Sequence, residues 1–188
     1  MRAILCAVVA AAACAALPVA AECWKPVPGD GEVAFTAKQA GAAFRGRFTS
    51  FAGEVCLGEQ NRIRVAVRTA SADTRLPELD EALRGPEFFD ARRWPQATFE
   101  SDAVKGLGDG RYEVSGRLTI RDVTREVTVP FMLRPEAGAS RARLEARLTL
   151  LRLDYGVGTG QWADTRWLHD AVELDIALAL DTVQRYGR

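Results

Sequence analysis

Residues Arg84 to Ser101 read RGPEFFDARRWPQATFES, and within them a helical period gives way to a strand period. Upstream, Leu76, Leu79, Ala82 and Leu83 recur at helical spacing; downstream, Ala97, Phe99 and Ser101 alternate with Thr98 and Glu100 at strand spacing. Pro95 marks the change, because the residue before a proline is pushed out of helical geometry. Phe88, Phe89, Trp94 and Phe99 put four large rings into twelve residues, more apolar surface than a solvated connection carries. These rings must bury, either as a plug that only fills a core or as a lid over a cavity. The helix is expected from about Pro77, a favoured first helical position, to Ala91.

Outward from this stretch the chain reads as strands. Trp24 to Val27 is a short apolar piece broken by Pro26 and Pro28 and followed by turn residues, so it is expected as an edge or entry strand. Val33, Phe35 and Ala37, then Phe44, Gly46 and Phe48, then Ile63, Val65 and Val67 each alternate with polar residues. Beyond the helix, the same alternation marks Tyr112 to Ile120, Val127 to Leu133, Leu144 to Leu150 and Val172 to Leu180. Glycine-rich turns join several of these segments. About eight alternating strands with one helix between them give an all-β fold, and an antiparallel barrel is preferred over a sandwich because closure removes edges. Eight strands leave an interior just wide enough to be filled or to hold one small ligand.

At 188 residues, with 48% hydrophobic content and no Gly/Ser/Pro linker, the chain is expected to form one domain. A formal charge of zero and scattered arginines argue against a nucleic-acid partner. The first residues, MRAILCAVVAAAACAALPVAAE, read as a secretory signal cut after Ala21, with Ala20 as an alternative; a lipoprotein site at Cys14 is weaker because alanine stands at position 11. Residues 1–21 are therefore assigned as signal peptide and 22–188 as the barrel domain, exported to the periplasm. Removal of the signal leaves Cys23 and Cys56 as an even pair in an oxidising compartment. They are either a disulfide or, respectively, a terminal thiol and a buried one.

Catalytic chemistry is sparse. His169 is the sole histidine, and Asp164 and Asp170 near it give no metal-ligand spacing. Gly156, Gly158 and Gly160 read as a flexible loop, since no helix pattern follows to bind phosphate. No serine sits in a nucleophile elbow, and Asp80 and Glu81 fall on the solvated side of the helix. An enzymatic reading would rest on His169 and Asp164 alone, so the chain is expected not to be an enzyme and to need no cofactor.

The run EFFDARRWPQATFES, followed by YEVSGRLTIRDVTREVTVPF, resembles the YceI-like family of exported bacterial proteins. FTAKQAGAAFRGRFTSFAGEV, VRTASADTR and RLDYGV extend the likeness over most of the mature chain. The resemblance implies an eight-stranded, lipocalin-like antiparallel barrel that binds a polyisoprenoid amphiphile in an elongated apolar cavity, without enzymatic activity. The chain departs from the pattern at Glu81 and Ala82 and around Lys38 and Gln39, where members carry histidines, and also at Asp122 and Trp94. GTGQWADTRWLHDAVEL resembles the subset of members associated with membrane cytochromes of the b561 type.

The expected ligand wall comprises Phe35, Phe44, Phe48, Leu83, Phe88, Phe89, Trp94, Phe99, Leu118, Ile120, Phe131, Leu148 and Ile176. At the open end, Gln161, Asp164 and Arg166 are expected to meet the polar head while Trp162 and Trp167 flank the rim. Two functions follow. One is noncovalent carriage or storage of an isoprenoid lipid such as a quinone; the other is a stress or redox-accessory protein that docks a membrane cytochrome. A homodimer is compatible with either.

Overall fold

The computed structural model describes residues 22–58, 61–136 and 140–183; the expected signal, 1–21, lies outside them. Ten strands among these residues form one sheet: β1 (Glu22–Gln39), β2 (Ala42–Phe48), β3 (Phe51–Leu57), β4 (Arg62–Arg68), β5 (Ala72–Asp73), β6 (Gln96–Gly108), β7 (Arg111–Ile120), β8 (Val123–Pro135), β9 (Arg141–Leu151) and β10 (Ala171–Thr182). Only Thr49 and Ser50 separate β2 from β3, and one turn of 3-10 helix separates β4 from β5, so the ten segments make eight courses. All pairings are antiparallel, and β1 pairs with β10 to close the barrel. The expected eight-stranded barrel with one helix is the fold.

Two elements differ from the sequence reading. The expected edge or entry strand and the strand after it are one continuous β1, which pairs first with β3 and later with β2 while β10 runs along its other side. An irregularity between Pro26 and Gly31 absorbs the prolines, which cannot donate to a ladder, so the break in composition is not a break in the strand. The helix, α1 (Pro77–Arg84), stops well short of Ala91. Gly85 precedes Pro86 and is extended (φ −72°, ψ 170°), as a residue before proline prefers, and turns replace helix from there to Trp94.

Inward residues at one end are packed without gaps: Leu180 and Ala142 have no exposure, Leu133 has 2% and Trp24 has 4%. At this end Cys23 and Cys56 stand directly opposite each other on β1 and β3, with Cα atoms 4.0 Å apart, and form a disulfide. The bond closes a chain loop spanning 33 positions. Replacing both cysteines by serine should therefore cost about 3 to 4 kcal/mol in urea unfolding, chiefly by freeing the unfolded chain.

Candidate ligand cavity

The other end of the barrel is not filled. Leu118, Ile120, Leu148, Leu150, Leu174 and Ile176 all point inward by strand alternation, yet remain only half-buried because they face empty space. Two chambers of about 160 Å³ each lie in line. That volume is roughly ten times what one water needs. Val33, Val67, Ala97, Leu118 and Leu174 belong to both chambers and form the waist between them.

Phe35, Phe44, Phe48, Leu83, Phe88, Phe89, Leu118 and Ile120 line the upper chamber, while Phe99, Leu118, Phe131, Leu148 and Ile176 line the lower one. Aromatic contacts run through the upper wall: Phe35 to Phe48 with centroids 5.5 Å apart, and Phe48 to Phe89 at 5.7 Å. The Phe35 ring lies across Gly46, where any side chain would collide with it, so that glycine makes room for the aromatic wall.

Other expected site residues lie elsewhere. Trp94 sits outside both chambers, with the Arg93 guanidinium 5.0 Å above its ring. Asp164 and Arg166 pair with each other on the surface, at 2.8 Å, and the arginine's hydrogen bonds hold the Asp164 carboxyl down at about 2. Trp167 is 51% exposed. Trp162 does not line a chamber but caps one: its ring packs 5.4 Å from Phe88, and its indole N–H donates to Glu87 at 2.8 Å. The rim expected from Gln161, Asp164, Arg166 and Trp167 is thus an outer surface, because their polar groups face solvent or each other. His169 takes part through its backbone, its N–H donating to Lys38 and its carbonyl accepting from Arg152.

Arg152 is what the sequence reading missed. Its guanidinium is buried at the upper chamber, and all five N–H groups donate to main-chain carbonyls: Nε to His169 (3.0 Å), Nη1 to Val157 (2.9 Å) and Gly158 (2.7 Å), Nη2 to Trp162 (2.7 Å) and Leu168 (2.7 Å). Burial pulls its pKa below the usual arginine range, and Asp170 partly opposes that shift. The loop expected to be flexible, Gly156 to Asp170, is therefore wound around a fixed centre. Gly158 is in the left-handed region (φ 76°) and a side chain there would strike Nη1, so both conformation and space demand glycine. A signal was available: Leu144, Ala146, Leu148 and Leu150 set the inward phase, and Arg152 continues it.

The loop in turn holds the segment after α1. Gly158 and Thr159 donate their N–H groups to the Glu87 carbonyl at 2.8 and 2.9 Å, and Arg121 Nη1 donates to the carbonyls of Phe88 (2.8 Å) and Gly156 (2.5 Å). Leu83, Phe88, Tyr155, Val157 and Leu168 form the buried underside of this joint lid, and no polar surface is presented to the upper chamber. Such a wall is chemically matched to hydrocarbon.

The YceI-like domain family matches residues 24–180. A UPF0312 protein of Yersinia pestis is 33% identical over 147 residues, which are 74% of this chain and 73% of that protein. Among solved structures, BcnA of Burkholderia cenocepacia superposes with a TM-score of 0.75 at 29% identity, covering 79% of this chain and 95% of that one. A polyisoprenoid binding domain from Saccharophagus degradans shares the fold, with a TM-score of 0.71 at 14% identity over 85% of this chain and 98% of its own.

Removing the clamp leaves five carbonyls without their donor in a dry setting. Arg152→Met should cost about 3 to 5 kcal/mol and speed hydrogen exchange at the Gly158 and Thr159 amides, while Arg152→Lys, with three donors and no planar fork, should recover little of either.

Proposed function

The chain belongs to the YceI-like family, and from that premise and the geometry of its interior we propose that it binds an isoprenoid lipid noncovalently, as a periplasmic carrier or store. The single observation that carries this reading is the pair of chambers in line, walled by aliphatic and aromatic side chains under a lid whose polar groups bond among themselves. A branched hydrocarbon chain fits such a wall chemically: each five-carbon unit buried supplies on the order of 3 to 4 kcal/mol before the cost of ordering it. The Saccharophagus domain, described as polyisoprenoid binding, supports the same class of ligand. The signal-like first 21 residues and the Cys23–Cys56 disulfide support an oxidising compartment outside the cytoplasm. Within this class we favour a quinone, whose compact ring is a neutral head on a long chain.

Titration with a long-chain isoprenoid quinone should quench tryptophan fluorescence saturably, whereas a quinone ring without its chain should bind far more weakly. Equal affinity for the two would count against the proposal. Leu118→Trp puts a large ring at the waist, and should lower affinity for the long-chain quinone about tenfold or more. Its stability cost should stay within about 1 to 3 kcal/mol, checked by urea unfolding of the same variant.

A further inference from the structure

Between β8 and β9 the wall of the barrel is only partly zipped. β8 and β9 are neighbours, yet their ladder runs only from Phe131 opposite Ala146 to Pro135 opposite Ala142. Beyond that point both strands continue, β8 back to Val123 and β9 on to Leu151, each fully paired on its far side with β7 and β10 but not with the other. The result is a slot, bounded below by the Phe131–Ala146 pair. Its upper limit is set by two contacts, Arg121 to the Gly156 carbonyl at 2.5 Å and Arg125 Nε to the Asp154 carbonyl at 3.4 Å.

Arg125 gives an independent sign that the slot is real. It lies opposite Leu118 in the β7–β8 ladder, so it shares the inward phase of Val123, Val127 and Val129, yet it is exposed to solvent. A charged side chain on the lumen side of an intact wall would be buried. Here it escapes because β9 is not beside it. Its terminal nitrogens have no hydrogen-bond partner among the described residues. An unpaired strand edge ordinarily invites another strand, and an inward charge is a known device against that, so the slot is poorly suited to strand addition.

The lips of the slot are also the walls of the cavity: Val127 and Leu148 line the lower chamber, Leu150 the upper. We propose that this slot is the portal through which the isoprenoid chain enters sideways, and that its polar head rests there as a hydrogen-bond acceptor for Arg125. The lid, bolted through Arg152, then need not open. Arg125 reaches the carbonyl of Asp154, the residue before buried Tyr155 of the upper chamber, and its charge opposes the upward shift that burial imposes on the Tyr155 phenol. The inference rests on the lipid-binding reading above.

The test uses the mature chain, whose Cys23 and Cys56 are bonded to each other, so that one introduced cysteine is the reactive thiol. A bulky maleimide on Thr149→Cys, at the exposed outer side of the slot, should slow uptake of a long-chain ubiquinone from phosphatidylcholine vesicles about tenfold. The same adduct on Gln161→Cys, exposed on the lid loop, should not. Arg125→Met should weaken ubiquinone several-fold but leave squalene, an isoprenoid without a head, unchanged. Slowing only at Gln161→Cys, no slowing at either position, or equal loss of ubiquinone and squalene in Arg125→Met would overturn the proposal. Absence of any uptake by the wild-type chain is a different result, and would remove the binding reading on which the portal rests.

Discussion

A buried guanidinium with five main-chain carbonyls for partners and, among the described residues, no carboxylate paired with it is an unusual way to hold a loop, and the upper half of this barrel depends on it. Arg152 continues the inward phase of β9, so the charge is carried into the interior by the same alternation that carries leucines there. Once inside, it must be satisfied or the strand cannot stay where it is. The loop from Gly156 to Asp170 folds to supply acceptors, and only then do Val157, Leu168 and Trp162 come over the cavity. Lid and clamp are one structure. The segment after α1 is secured second-hand, through Glu87 and Phe88, to a loop that Arg152 has already shaped.

This arrangement separates two demands that usually conflict. A cavity large enough for a ligand forfeits packing, and lost packing is lost stability. The barrel answers by dividing its length: one end is filled by Trp24, Leu133, Ala142 and Leu180 and tied by a disulfide, while the other holds its shape by hydrogen bonds around a void. The polar network costs the cavity nothing in apolar character, because every donor of Arg152 is turned toward backbone oxygen rather than toward the space it borders.

The barrel was legible in the sequence because strand alternation is a local signal, repeated on every strand, and most of the aromatic and aliphatic wall followed from it: Phe35, Phe99, Leu118 and Ile176 point inward for no reason beyond phase. What the sequence concealed depends on partners far along the chain. Nothing near Arg152 says that carbonyls up to seventeen residues away will gather round it. Prolines at 26 and 28 look like a strand break unless β10 is present to carry the ladder across. Trp94 and Trp162 have the composition of a cavity wall, but the turns that follow Gly85 and the bond to Glu87 decide where their rings go. The slot between β8 and β9 is equally silent, because both strands alternate well and only their mutual register reveals that they part.

Closure of the barrel joins β1 to β10, the first described strand to the last, from Trp24 opposite Thr182 to Thr36 opposite Glu173. The separation of these partners in sequence makes that seam an expensive contact to reach, and it forms late on any route that begins with neighbouring hairpins. Until it does, Val33 and Phe35 on one side and Leu174 and Ile176 on the other are open to water together with the row of backbone groups between them. There is consequently no half-built barrel. A chain cut before β10 has no enclosed interior at all and offers instead a long apolar edge, so the enclosed apolar interior and resistance to aggregation are acquired in the same event.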